Sequence, residues 1–444
     1  MVITEQQCED YQNIVLDILK LAKQQGADAA DVAASLSTGL SVNVRNQELD
    51  TVEFDNAKGL GITVYFGKQK GSASTSDFSA ESLQETVAKA CGLAKIMAVD
   101  EYCGLADAEL MAYDYPDLDL LHPWGINADE AQKIALECEQ YGLNYSNKIT
   151  NSEGASVDTV SGLTIYGNSH GFLGSYKGSR HSVSCSLIAS NQDKMQRDYW
   201  YSVARAHEKL DGLKYIGEQA AMRAVARLNP QKIKTQQAKI LFAPEMARGI
   251  LSSFLSAISG GNLYREASFL LGKLGQKVFS DLITLTEEPL LKHGLGSAAF
   301  DSEGVRTQRR VLIEQGILNG YILGSYSARR LGMATTGNAG GVHNLLVTPG
   351  QYNQEQMVKN MDTGLLVTEL MGQGINIVTG DYSRGASGFW VENGEIQFPV
   401  DGVTIAGNLA EMFNNIIAVG NDIDQRGNIQ TGSLLVSSMM IAGE

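Results

Sequence analysis

Basic charge, proline, paired cysteines and long apolar runs are all scarce in this chain of 444 residues. Lys and Arg number 35 against 50 Asp and Glu, a formal charge of −15. Nucleic-acid backbones are held by basic surface, so no nucleic-acid partner is expected. Only 7 prolines accompany 47 glycines, which fits many tight turns and bulges rather than disorder. The five cysteines (Cys8, Cys91, Cys103, Cys138 and Cys185) are scattered and never spaced C-x-x-C. They predict free thiols in a reducing cytoplasm, most of them small core fillers. No stretch approaches the roughly 18 consecutive apolar residues of a membrane span, so no membrane is expected. The start, Met1-Val2-Ile3-Thr4-Glu5, has no basic segment followed by an apolar run, and no signal peptide is expected.

What is present suits a folded protein of two domains: 43% hydrophobic residues, 19% charged, and enough length to bury a large core. Thr4-x-x-Gln7 is a capping box, followed by Tyr11, Ile14, Ile18 and Leu21 at helical spacing, with Gly26 as the stop. Strands are expected at Ser41 to Arg45, Gly61 to Phe66 and Gly71 to Ser76. A helix starting at Ser79 presents Leu83, Val87, Ala90 and Ala94 on one face. Ala112 to Trp124 reads as a connection, Glu130 to Tyr141 as helix, and Ser156 to Ser190 as several antiparallel strands. A polar helix-forming region then runs to Leu228, where Asn229-Pro230 ends it. The boundary falls within Asn229 to Gln237, giving an N-terminal α+β domain (1–229) and a C-terminal, mostly antiparallel β domain (238–444). The second domain opens with a strand at Ala238 to Phe242. A helix from Pro244 follows, with Met246, Ile250, Phe254 and Ile258 on one face and Gly260-Gly261 as its end. Gln315-Gly316 marks a hairpin, and Leu434 to Ile441 is a final strand. Long helices beside mixed and antiparallel sheets make the class α+β.

The most informative stretch runs from Glu369 to Phe398. Asn393-Gly394 between two short alternating runs is a strong hairpin signal. The glycines before it, around Gly385, Ser387 and Gly388, leave backbone groups uncovered by side chains. A glycine-lined strand edge of that kind can pair with an extended peptide, although for the motif alone a plain surface hairpin is the better account.

This stretch, together with Phe300-Asp301-Ser302-Glu303-Gly304-Val305-Arg306-Thr307, Ser325-Tyr326-Ser327-Ala328-Arg329, Thr336 to Asn344 and Val419-Gly420-Asn421-Asp422, resembles the TldD/TldE (PmbA) peptidase family, specifically its TldE branch. The likeness spans essentially the whole chain and is strongest from about Lys239 onward. It implies a PmbA/TldD-like fold of two domains. In TldD-type members, H-E-x-x-x-H on a helix and a cysteine near the C-terminus hold zinc. An open coordination position there activates water to a pKa of about 7, with Glu as general base. Matching flanks put these positions at Ser252, Ser253, Ala257 and Thr431. Ala257 has no donor atom, and serine and threonine hydroxyls do not replace imidazole or thiolate at neutral pH. The histidines (His122, His170, His181, His207, His293 and His343) include no pair four or five apart, and His207-Glu208 has no second His behind it. The expectation is therefore no catalytic residue, metal or cofactor in this chain, with zinc carried by a partner subunit.

Other constellations fail. Gly67-Lys68 and Gly272-Lys273 lack the Ser or Thr of a P-loop, and neither Ser383 nor Ser387 sits in G-x-S-x-G. Asp422-x-Asp424-x-Arg426-Gly427 begins like a calcium loop but puts Arg426 at the fifth position and Ser433 at the twelfth. Asp381, Tyr382 and Arg384 form either a polar site or, more plainly, a structural ion pair. His343 either borders a peptide groove or caps a loop. Three functions remain open. The resemblance implies a non-catalytic subunit of a cytoplasmic TldD–TldE heterodimer acting on unfolded or precursor peptides, this chain completing the substrate chamber. The alternatives are an autonomous homodimeric hydrolase with a non-metal or unrecognised site, and a peptide-binding scaffold without an enzyme partner. Under any of them, Gly340, Gly341, Val342, His343 and Asn344, with Gly385, Ser387 and Gly388, are the expected peptide-contacting residues.

Overall fold

The computed structural model describes residues 3–192 and 194–443. Met1 and Val2, where the start was read for a leader, lie outside the described residues. The first half holds α1 (Glu5–Gln24), β1 (Ala29–Arg45), β2 (Glu48–Phe66), β3 (Gln69–Thr75), α2 (Ala80–Ile96), α3 (Ala128–Leu143), β4 (Ile149–Asn168), β5 (Leu173–Asn191), β6 (Lys194–Ala204) and α4 (Leu213–Ala226). The capping box forms as read: Gln7 N donates to Thr4 Oγ1 at 3.2 Å, and Thr4 N to Gln7 Oε1 at 2.9 Å.

The strands make one antiparallel sheet in the order β3-β2-β1-β4-β5-β6. Even-numbered residues of β1 from Ala30 to Val44 are buried while their neighbours are more exposed, so one face of the sheet is covered. Helices α1 and α2 cover one end of it through Val15, Ile18 and Val87, and α3 and α4 cover the other through Ala135, Cys138 and Ile216. All five cysteines are buried and unpaired. Two expectations need correction. The strands foreseen at Ser41 and Gly61 are only the ends of strands of 17 and 19 residues, because Ser, Thr and Gly on the open face hide the alternation. The stretch read as polar helix before Leu228 begins with strand β6, whose Trp200 faces Cys185 across the ladder. Helix α4 starts only at Leu213.

The second half contains β7 (Gln236–Phe242), α5 (Pro244–Ala257), α6 (Gly260–Tyr264), β8 (Leu285–Glu287), β9 (Arg310–Glu314), β10 (Ile317–Leu318), α7 (Ser325–Leu331), β11 (Leu345–Val347), α8 (Gln354–Met361), β12 (Gly364–Met371), β13 (Asp381–Glu392), β14 (Glu395–Asn408), α9 (Leu409–Asn414), β15 (Ile416–Val419), β16 (Ile429–Gln430) and β17 (Leu434–Ala442). A small sheet runs β10-β9-β8-β11-β16. A larger one runs β14-β13-β12-β7-β17-β15, and β14 also pairs with β17, closing the ring β14-β13-β12-β7-β17 into a barrel. Pro244 opens α5, which buries Ala247, Ile250, Leu251, Phe254 and Ala257 in a core shared by both sheets. Gly260-Gly261 opens α6 rather than ending α5. Among the described residues no helix is long and apolar enough to cross a membrane.

Candidate functional site

Helix α5 carries the positions where TldD-type relatives would place zinc ligands. Ser252 is exposed. Ser253 is buried, and its Oγ donates to the Gly249 carbonyl one turn back at 3.0 Å. Ala257 is wholly buried among core side chains. Thr431 is also wholly buried, its Oγ1 donating to the Gly432 carbonyl at 2.9 Å. No imidazole, thiolate or carboxylate stands at any of the four, so this donor set does not hold zinc.

The polar side of α5 is used differently. Glu245 and Arg248 belong to a chain of alternating charges that crosses between the two halves. Arg227 pairs with Glu369 and with Asp198, and Asp198 accepts from Arg223 at 3.1 Å. Arg223 reaches Glu245 at 3.1 Å, and Glu245 meets Arg426 at 3.3 Å. Arg426 bonds Asp424 at 2.9 Å, and Asp424 accepts from Arg248. The Arg426 guanidinium lies 3.8 Å from the Trp200 ring centroid, a close cation–π contact. Burial pushes the Asp424 carboxyl up, but the hydrogen bonds and charge of Arg426 and Arg248 outweigh it and hold Asp424 below its ordinary value. The segment that began like a calcium loop is thus an arginine clamp. Beside it lies a cavity of about 1160 Å³ between β6, α4, the start of α5 and the 422–430 loop.

The Gly340 to Asn344 segment is brought to the other family-like blocks, as structure. Glu287 is almost fully buried. Its Oε1 accepts from Asn338 Nδ2 at 2.7 Å and from His343 N at 2.9 Å, and pairs with His343 Nδ1 at 3.0 Å. Its Oε2 pairs with Arg310 at 2.9 Å. Burial alone would raise the Glu287 carboxyl, yet His343 and Arg310 hold it below its ordinary value. Asn344, wholly buried, donates to Ser297 Oγ and the Glu288 carbonyl and accepts from Gly296 N. Asp301 accepts from the Glu303, Val305 and Ala339 amides. For His343, loop-capping is the role its bonds describe.

The glycine-lined edge does not exist as expected. Gly385, Ser387 and Gly388 lie in β13, which pairs with β12 on one side and β14 on the other. A Cβ on Gly388 would stand 1.8 Å from the Leu366 carbonyl oxygen, so this glycine marks a close backbone approach inside the ring. The Asn393-Gly394 hairpin is real, with φ of 53° and 73°. Asp381 and Arg384 form no ion pair: Asp381 is exposed and bonded to Thr379 Oγ1, while Tyr382 and Arg384 project from the other face of β13. Among the described residues, no well-formed hydrogen bond reaches the buried Tyr382 hydroxyl or Arg384 Nε, which lie on the same face of β13. An open edge does occur in the first half, where β3 pairs only with Leu60 to Phe66 of β2. The outer part of β2, with Leu49, Val52 and Phe54, is left exposed.

Family models for PmbA/TldA metallopeptidase domain 1, central domain and C-terminal domain match residues 30–94, 121–228 and 235–443. The metalloprotease PmbA homolog of Haemophilus influenzae is 50% identical over 98% of this chain and 96% of its own length. The chain belongs to the PmbA/TldD metallopeptidase family. Metalloprotease PmbA of Escherichia coli O157:H7 is 48% identical over 99% of this chain and 98% of its own. A metalloprotease TldD homolog of H. influenzae is 30% identical over 35% of each chain. A crystal structure of a candidate modulator of DNA gyrase from Bacteroides thetaiotaomicron superposes with TM-score 0.93 at 28% identity, covering 100% of both chains. The crystal structure of TldE from Thermococcus kodakarensis shares the fold, with TM-score 0.84 at 22% identity over 97% of this chain and 100% of that one.

One group in this PmbA/TldD-family chain escaped sequence reasoning altogether. Asp119, His122 and His293 present ligand atoms that all lie within 4.8 Å of one another. His122 and His293 come from opposite halves of the chain, so no spacing rule could link them. The sequence signal available was slight: an Asp-x-x-His turn in a Pro- and Asp-rich connection.

Proposed function

We propose that this chain is the non-catalytic subunit of a TldD–TldE-type heterodimeric zinc peptidase that cleaves unfolded and precursor peptides, and that its part is to complete the substrate chamber. The observation that carries the reading is the chemistry of α5 and Thr431. Two of the four ligand positions are side chains locked to backbone carbonyls, one is a methyl group in the core, and one is an exposed serine. Metal, activated water and general base would all belong to the partner. This chain would supply walls, charge and strand-pairing surface. The cavity beside Arg426 and the open outer part of β2 are the surfaces available for substrate and partner. H. influenzae has relatives of both kinds, one named PmbA and one named TldD, which supports a paired arrangement. Five buried, unpaired cysteines agree with a cytoplasmic setting.

A second reading, an autonomous hydrolase, draws on the name metalloprotease carried by the PmbA relatives. The deciding assay uses an unfolded peptide. The purified chain alone should be inert, and cleavage should appear on adding a TldD-type chain with zinc. Cleavage by the lone chain would establish the second reading, by a non-metal route where it survives a chelator. Failure to associate with a TldD-type chain would leave the peptide-binding scaffold.

A further inference from the structure

We propose that Asp119, His122 and His293 form a binding site for a zinc-class divalent ion, separate from α5, that fastens the first half of the chain to the second. Asp119 Oδ1 stands 3.3 Å from His122 Nε2, and Asp119 Oδ2 stands 2.9 Å from His293 Nε2. Two ligands bound at about 2.0–2.1 Å to a tetrahedral zinc stand about 3.4 Å apart, so the carboxylate and each imidazole are spaced to share one ion. The donor set, two imidazoles and a carboxylate, is the borderline type that zinc takes with one position left for water. The side chains of Asp119 and His293 are 49% and 41% exposed, which leaves solvent access for that position.

The surroundings hold these groups in place. The two imidazoles stack at 4.6 Å and 19°, so one ring turns when both nitrogens are to reach a single ion. Asp119 and His293 both adopt positive φ, 53° and 59°, a costly conformation for residues with side chains and one concentrated at functional sites. His293 N donates to the Leu118 carbonyl at 3.1 Å, docking the two loops. Arg205 of the first half fastens the same loop through the Gly294 and Leu295 carbonyls. His122 Nε2 also lies 3.0 Å from the Asp119 carbonyl oxygen; ligation through Nε2 would replace that contact, with the ring's single proton on Nδ1. His293 borders the large cavity, so the ion would sit at its rim.

The test uses the full chain, stripped with a chelator and titrated with Zn²⁺ alone against a chromophoric competitor, with Co²⁺ as a spectroscopic substitute. The wild type should take up a single equivalent, gain thermal stability with added zinc, and give the strong visible cobalt bands of a low-coordinate site. His293→Ala and His122→Ala should each weaken zinc by more than the roughly 10- to 100-fold typical of losing an outer-shell partner. Both should abolish the zinc-dependent rise in melting temperature. His207→Ala, a nearby histidine outside the set, should behave as wild type. Absence of zinc uptake by the wild type, or unchanged uptake by the Asp119→Ala/His122→Ala/His293→Ala triple variant, overturns the site. Neither result bears on the non-catalytic role. Zinc that persists in the triple variant and disappears with Thr431→Ala would overturn both readings.

Discussion

Helix α5 and the Asp119–His122–His293 corner are the two places where this chain can be searched for a metal, and they differ in opposite senses. On α5 the order of positions resembles a metal-binding pattern while the atoms do not, and the neighbouring charges are already paired with one another. Arg248, one turn from Ser252, and Glu245, two turns from it, are both committed to the ion-pair chain. At the corner no sequence pattern exists, yet three competent donors converge from two halves of the molecule. Position in a motif and capacity to coordinate are thus separate properties, and only the second is decided by where side chains end up.

Each side of this contrast can be broken. The largest effect is expected at Arg426→Ala. It strips the buried Asp424 of its main partner and uncovers Trp200, and breaking a buried pair from one side costs about 3–5 kcal/mol. Urea unfolding reads this out, and a loss close to that of a surface pair would mean that Asp424 and Arg426 are not coupled as a buried pair. Zinc binding at the corner should stabilise the wild type by about 2.7 kcal/mol at 100-fold excess over Kd, and His293→Ala should remove that gain without lowering metal-free stability comparably. Ala257→His should destabilise by about 1–3 kcal/mol through overpacking a position with no free space, and should not by itself create a zinc site. A variant of wild-type stability would show that the α5 core is looser than its burial implies.

A weaker effect is expected with pH. Asp424 and Glu287 have folded values below their ordinary ones, so the folded state binds fewer protons than the unfolded one. Their stabilising contribution should be complete above about pH 5 and fall away as pH drops through their folded values. Arg426→Ala should flatten the part of that acid limb due to Asp424. A limb of the same steepness in the variant would place the acid sensitivity elsewhere. Smallest of all, Ser252→Ala should change stability by less than about 0.5 kcal/mol and leave the peptidase activity of a reconstituted pair intact. A large loss of activity would give this exposed serine a role that the donor argument denies it.

Local features were legible in the residues because their causes are local. Thr4 and Gln7 cap each other, Pro244 starts α5, and Asn393-Gly394 turns because both residues accept positive φ. The misreadings share a non-local cause. Gly388 looked like an open edge because a missing side chain exposes backbone to whatever is adjacent, and what is adjacent is the Leu366 carbonyl of β12. Strand β6 looked helical because polar residues lie on both of its faces, Asp198 and Ser202 being buried, and its pairing with β5 is invisible without the fold. For His343 the bonding to Glu287 could not be read from the residues, since that carboxylate lies more than fifty residues earlier.

The pairing of β14 with β17 means that the second half has a ring without a seam: Thr404, Ile405 and Ala406 face Ala442, Ile441 and Met440, joining a late hairpin to the final strand. Peeling any one member of such a ring breaks ladders on both of its flanks at once. Amide protons around the hoop should therefore exchange in a single slow class, and no intruding polypeptide can be spliced into it without first melting the whole.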